Sequence, residues 1–313
     1  MNNPLVSIVV ITYNSAKYVL ETLESAKQQT YCNIELIITD DCSTDNTVDL
    51  CDQWLETNKK NFVNVQLLIG TENVGIPANL NKGIKIAHGE WIKSIAGDDI
   101  LHEDCICNFI KEYKGNSLVV IGNSFNFYLD NKCKKIYSKY TLPFAYIKPF
   151  FYLNSSQQYQ RILERCFINA PAAIVKRELY DKIGYYDENY RMMEDWPFWV
   201  KCTRAGFKID YLSITMSYYR VSHDSISKLT NTFYNERFYE DRLNFIKTEC
   251  NPNISIFNIL YWEDYYIQLF IHYVLYNLFK NRRTPLSIFV LKLIKCFSLK
   301  EIWLYERRRR HML

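Results

Sequence analysis

The sequence predicts an α/β fold, a mostly parallel sheet flanked by helices, with a helical C-terminal extension. Three observations predict it. Over the first 115 residues strand-like and helix-like segments alternate, the order that builds a parallel sheet wrapped on both faces. The strands are near-continuous apolar runs, as strands covered on both sides are. Three of them close on polar clusters, Thr12-Tyr13-Asn14, Asp40-Asp41 and Asp98-Asp99. In sheets of this kind ligands bind beyond the carboxyl ends of the strands.

Each element carries its own signal. "LVSIVVITY" (5–13) is a β-branched run, the mark of a buried strand. Residues 15–29 place Val19, Leu23 and Ala26 at helical spacing, with Ser15 positioned to cap the helix. "IELIITDD" (34–41) is a second strand. Residues 43–60 read as a helix with Val48, Cys51 and Leu55 on one face and Ser43 or Thr44 as its cap. "VQLLIG" (65–70) is a third strand, 76–89 a helix that Gly89 ends, "EWIKSIA" (90–96) a fourth strand and 103–115 another helix. Residues 117–230 are less regular, with strand-like runs "SLVVIGNSF" and "DYLSITMSYYRV". From about 235 the chain turns helical and aromatic.

Composition narrows the class. With 48% hydrophobic and 16% aromatic residues there is ample material for a large packed core. The net charge of +4 is uneven: residues 280–313 hold ten positive residues against Glu301 and Glu306, a net +8 that leaves the body at −4. An acidic body argues against nucleic acid, and a basic tail points to contact with an anionic surface. Ten cysteines without a C-x-x-C pair offer no zinc knuckle. "MNNPLVSIVV" lacks the charged start of a secretory signal, so a cytoplasmic protein with reduced thiols is expected.

The adjacent carboxylates in "SIAGDDIL" (94–101) pose a chemical question. Like charges side by side near a core repel unless a cation faces them. The turn after the first strand, "TYNSAKY", has no glycine, so the G-x-G-x-x-G of a dinucleotide site is missing, and a P-loop is missing too. Oxidoreductase and kinase readings therefore weaken. Acids at strand ends hold a phosphate through a divalent cation, and oxygen ligands select Mg²⁺ or Mn²⁺.

Four stretches, in order, resemble the family 2 glycosyltransferases, inverting enzymes with the Rossmann-like GT-A fold that use nucleotide sugars. They are "VSIVVITYNSAKYVLETLESAKQQTYCNIELIITDDCSTDNT", "NVGIPANLNKGIKIAHGEWIKSIAGDDIL", "MMEDWPFWVKCTRAGFKI" and "YYRVSHDSIS". The resemblance implies a catalytic domain over 1–230, with a nucleotide-sugar half (1–115) and an acceptor half (116–230), before a membrane-associating region over 231–313. It implies that Thr12, Tyr13 and Asn14 line the base pocket, with Tyr13 packing on uracil. Asp41, beside Asp40, would accept a hydrogen bond from the base, and Asn81 would flank the nucleotide. Asp98 and Asp99 would bind ribose and metal, with His223 near the diphosphate as a further metal ligand. Glu194-Asp195 would supply the catalytic base, Asp195 foremost. Two departures stand out: Ala96 sits where the family often has Asp, and Leu80 where it often has Arg.

Each residue also has a plainer local reading. Asp98-Asp99 and Glu194-Asp195 could begin helices, where acids favour the N-terminal dipole. Asp40 and Asp41 could be turn residues, Tyr13 a core residue and His223 a loop histidine.

The C-terminal region adds a partner. "YYIQLFIHYVLYNLF" is 15 residues, shorter than a membrane-spanning helix needs, whereas "SIFVLKLIKCFSLKEIWLYERRRR" mixes lysine with large apolar residues at helical spacing. That suits a helix lying on the inner face of the cell membrane. A lipid-linked saccharide acceptor for bacterial O-antigen or capsule synthesis follows from the resemblance, with a nucleotide sugar, a UDP-sugar first, as donor. The competing readings are a non-catalytic, membrane-bound nucleotide-sugar-binding or scaffold protein of the same fold, and a nucleotidyltransferase, which would need a glycine-rich first loop that this chain lacks.

Overall fold

The computed structural model describes residues 3–130, 134–221 and 232–299. The chain forms two compact units, Met1–Val221 and Ser222–Leu313.

In the first unit the order is β1 (Val6–Thr12), α1 (Val19–Lys27), β2 (Ile34–Asp40), α2 (Thr47–Asn58), β3 (Asn64–Ile69), α3 (Ile76–Ile86), β4 (Trp91–Ala96), β5 (Ile100–Leu101), α4 (Cys105–Glu112), β6 (Val119–Leu129), β7 (Lys135–Leu142), α5 (Ser155–Glu164), β8 (Ala173–Lys176), α6 (Arg177–Ile183), α7 (Asp195–Arg204) and β9 (Ile209–Arg220). One sheet runs β3-β2-β1-β4-β8-β6-β9-β5, with β7 against β6. The first four strands are parallel, as the alternation predicts. Beyond β4 the sheet is mixed, because β8 runs antiparallel to both β4 and β6. Register puts the polar clusters at one edge: Thr12 lies opposite Asp40, and Ile11 opposite Ala96. Behind that edge Val6, Ile8, Val9, Val10, Leu36, Ile37 and Ile38 are wholly buried. Each such side chain stabilises the sheet by about 1.5–3 kcal/mol relative to exposure.

Several predicted caps and helix ends are corrected. The first helix begins at Val19 rather than at residue 16, because the Ser15 carbonyl accepts the amides of Tyr18 and Val19 while its own amide donates to Thr47 Oγ1 at 2.8 Å. Neither Ser43 nor Thr44 caps the second helix, which begins at Thr47. Ser43 is bonded to Asp40 and Thr44 to Asn14. The third helix stops at Ile86, three residues before Gly89. Gly89 instead lets the backbone approach β1: a Cβ there would lie 2.5 Å from the Ser7 nitrogen. Asp98 and Asp99 begin no helix; they form the turn between β4 and β5.

The second unit is helical, with α8 (Glu236–Phe245), α9 (Ile259–Phe279) and α10 (Pro285–Cys296). Asn258 caps α9 and a Thr284–Ser287 capping box starts α10. Glu263, which interrupts the apolar run of α9, accepts the Leu299 amide at 2.9 Å. Ile271, Val274 and Leu275 are buried, while Phe270, Tyr273, Leu278, Leu286, Phe289 and Leu293 are exposed. Among the described residues no helix is long and apolar enough to cross a membrane.

Candidate active site

The site is built at the carboxyl edge of β1, β2 and β4. Asp40, 1% exposed, is held from three sides: Thr12 Oγ1 donates at 2.7 Å, Ser43 Oγ at 2.6 Å and the Ser43 amide at 2.7 Å. Asp41 accepts the amides of Val74 and Gly75 at 2.9 and 2.8 Å. Asn14, in a left-handed conformation (φ 49°), accepts the Thr44 amide at 2.8 Å and braces the same corner. Tyr13, 50% exposed, stands above this bonded floor.

The Asp41–Gly75 contact joins the edge to a distant part of the chain. The Ile76 amide donates to the Arg191 carbonyl at 2.8 Å, and the Arg191 guanidinium returns to the Asn73 carbonyl at 2.6 Å. Gly75 adopts φ +96°, and a Cβ there would lie 2.5 Å from the Arg191 oxygen. Gly75→Ala is therefore expected to cost about 2–3 kcal/mol, from positive φ and collision together. Thermal unfolding checks this, and an unchanged Tm would contradict it. Asn81, 1% exposed, anchors the preceding segment: it donates to the Tyr186 carbonyl at 2.9 Å and to Glu188 Oε1 at 2.8 Å, and accepts the Tyr186 amide at 3.0 Å. Its amide is committed to these bonds within the protein.

Those ties bring in the second acid pair. Glu194 and Asp195 are half-buried at the start of α7. Asp195 Oδ1 accepts the Trp196 amide at 2.6 Å, and the Cys166 thiol donates to Oδ2 at 3.8 Å. Burial pushes both carboxyls above their ordinary range, and the charge of Asp195 adds to the rise at Glu194. The buried Tyr186 phenol reaches the Ser94 side chain of β4, and burial, then the charges of Glu194 and Asp195, drive its pKa up. Tyr186 thus lies near both the Glu194–Asp195 pair and β4.

Comparison with known proteins places this arrangement. The profile described as "Glycosyl transferase family 2" matches residues 7–184, more than half of the chain. The protein belongs to glycosyltransferase family 2. This family 2 glycosyltransferase is 28% identical over 235 residues to the Glycosyltransferase GlyG of Streptococcus pneumoniae, covering 72% of this chain and 73% of that one. It is 25% identical over 227 residues to the putative teichuronic acid biosynthesis glycosyltransferase TuaG of Bacillus subtilis, covering 72% and 82%. Among solved structures it resembles S. aureus TarS 1–349 in complex with UDP-GlcNAc, with a TM-score of 0.54 at 20% identity over 86% of this chain and 81% of that one. It also resembles the mannosyltransferase PcManGT from Pyrobaculum calidifontis in complex with GDP-Man and Mn²⁺, with a TM-score of 0.52 at 16% identity over 97% and 72%. The fold is the GT-A fold.

In this glycosyltransferase the Asp98–Asp99 pair divides. Asp99 is 1% exposed, and its Oδ1 accepts the Arg220 amide at 2.8 Å. Burial, then the charge of Asp98, push its carboxyl well up, while Arg220 and Lys93 draw it back. Asp99 is thus bonded inside the protein, with the charges of Arg220 and Lys93 acting on it. Asp98 is less buried; burial raises its carboxyl and Arg220 opposes the rise. Among the described residues no three His, Cys, Asp or Glu side chains gather to hold a metal. The fit is nonetheless chemically sound for Mg²⁺ or Mn²⁺, which take one or two carboxylates and fill the remaining positions with phosphate oxygens and water. Asp98 is the residue that would hold such an ion. His223 lies outside the described residues.

Sequence reasoning missed Arg220, Lys93, Arg191 and Cys166. Two of these left a signal. Lys93 interrupts the apolar "EWIKSIA", and Arg220 closes the strand "DYLSITMSYYR"; a charge inside a buried strand implies a buried partner. A separate cavity of about 480 Å³ lies at the amino ends of β6 and β9, where Lys182 pairs with Glu178 and Lys208 with Asp210.

Proposed function

We propose that this glycosyltransferase is an inverting, metal-dependent hexosyltransferase. It moves a sugar from a nucleotide sugar, a UDP-sugar first, to a hydroxyl of a lipid-linked saccharide during bacterial surface-polysaccharide synthesis. The observation that carries the reading is a pair of half-buried acids in the first unit: Asp98 in the turn that closes β4, at the sheet edge where Tyr13 is exposed, and Asp195 at the start of α7, whose carboxyl burial raises. The complexes of TarS with UDP-GlcNAc and of PcManGT with GDP-Man and Mn²⁺, and the putative teichuronic acid biosynthesis role of TuaG, support the donor class and the process.

Tyr13 stacks on the base, and Asp41, held by two amides, keeps the Val74–Gly75 loop beside it. A bound divalent ion would offset the charge growing on the diphosphate. Asp195 accepts the proton of the acceptor hydroxyl as that oxygen attacks the anomeric carbon in a single displacement, which inverts its configuration. Thermal shift with UDP-, GDP- and dTDP-sugars, each with and without Mn²⁺, tests the reading. A cognate donor at a hundred times its Kd should stabilise the fold by about 2.7 kcal/mol, and only with the metal. No shift with any donor would overturn it.

The second unit is the proposed membrane contact on the cytoplasmic face. Exposed Leu286, Phe289 and Leu293 share α10 with Lys292 and Lys295, and the basic run Arg307–Arg310 follows. Each basic residue near an anionic surface adds about 1 kcal/mol, and apolar insertion adds to it. Full-length protein should float with anionic liposomes at low salt and detach at high salt, whereas protein lacking residues 281–313 should stay in solution yet still bind donor. Equal flotation of the two forms would refute the contact.

A further inference from the structure

We propose that Arg220 is a positioning residue for the donor site. It holds the Asp98–Asp99 turn so that Asp99 is committed inside the protein and the Asp98 carboxylate is the acid left for a ligand. The inference rests on the donor reading above and adds to it a residue that never touches the donor.

Arg220 is the last residue of β9 and only 2% exposed. It grips the turn twice: its amide donates to Asp99 Oδ1 at 2.8 Å and its Nε to the Asp98 carbonyl at 2.7 Å. A third bond, Nη2 to Glu21 Oε2 at 3.1 Å, ties the guanidinium to α1. The plane lies between two rings, 4.1 Å from the centroid of Tyr18 and 4.5 Å from that of Phe127. From α1, Thr22 Oγ1 also donates to the Asp99 carbonyl at 2.7 Å, so helix and strand hold the turn between them.

This geometry needs an arginine. Donation from Nε to a backbone carbonyl while Nη2 reaches a carboxylate uses two donors in the fixed plane of a guanidinium, and that plane also stacks on the rings. Lysine keeps the charge but has one point of donation and no plane. The charge matters as well, since two adjacent acids at a buried turn repel without a cation nearby. Ala96 removes one acid where the family often has Asp. The orientation of Asp98 therefore carries more of the site here, and Arg220 sets the backbone that bears it.

Two measurements on the full chain test this. Hydrogen exchange read by mass spectrometry should show the 97–101 segment of Arg220→Lys exchanging about tenfold faster than wild type, the scale of one lost charged hydrogen bond, with 6–12 and 34–40 unchanged. Calorimetric titration with UDP and Mn²⁺ should show about tenfold weaker binding. If Arg220→Lys does not fold, Glu21→Gln serves: Glu21 is partly exposed, Arg220 stays, and the same changes are expected at about threefold. A folded variant with wild-type exchange in the turn, or with wild-type UDP affinity, overturns the inference. If wild-type protein binds no UDP, the donor reading fails, and the exchange rates alone then uphold or overturn the hold of Arg220 on the turn.

Discussion

Asp195→Asn is expected to lower turnover a hundredfold or more while donor affinity stays within about twofold, the scale of a lost general base. Asn nearly matches Asp in shape and still accepts the Trp196 amide, so the start of α7 should survive. It cannot accept the acceptor's proton. The pH profile of the wild type carries the same information. Only ionised Asp195 is a base, so kcat/KM should fall as pH drops. Burial raises the Asp195 carboxyl, so the midpoint of that fall should lie above the ordinary carboxylate value of about 4. Glu194, raised by burial and by its neighbour, keeps its proton more readily, which leaves the negative charge of the pair on Asp195. Steady-state rates across pH for wild type and variant decide the matter. Normal turnover of Asp195→Asn at saturating acceptor would remove Asp195 from the chemistry.

The second large effect is on stability. Asp99→Ala should cost about 1–3 kcal/mol, the scale of a buried donor left unsatisfied. The substitution strips a buried acceptor from the Arg220 amide, while the Arg220 guanidinium keeps its bond to Glu21. Lys93 already has its pKa lowered to about 8 by burial, and Asp99 is among the charges that oppose that fall. A surface metal ligand would behave differently, losing the metal with little change in fold. Urea unfolding separates the two: a large drop in midpoint at unchanged m-value marks a buried strut, and an unchanged midpoint would contradict the placement of Asp99.

Much of the first half was legible because its signals are local. The runs 5–13, 34–41, 65–70 and 90–96 contain the observed strands to within about a residue at either end, since β-branched continuity needs no knowledge of neighbours. The helix starts misled for a physical reason. Ser15, Ser43 and Thr44 have the chemistry of caps, but their hydroxyls are engaged elsewhere: Ser15 Oγ bonds the Tyr13 backbone, Ser43 Oγ donates to Asp40 and accepts the Asn14 amide, and Thr44 Oγ1 donates to Asn14 Oδ1. A hydroxyl satisfied across the fold is no longer available to a helix end.

The sequence by itself determined the family, the α/β order and the edge at which the acids collect, because chain order and apolar runs dictate a parallel sheet and a parallel sheet aligns its strand ends. Only the tertiary structure decided what faces each acid. Asp40, Asp41 and Asp99 are buried and bonded within the protein, whereas Asp98 and Asp195 are half-buried. The reason is that a carboxylate's role depends on what faces it, and the facing groups come from 29 to 121 positions away: Gly75 for Asp41, Cys166 for Asp195, Arg220 for Asp99. Burial and hydrogen-bond partners set charge and access together, and neither is written in the residues on either side.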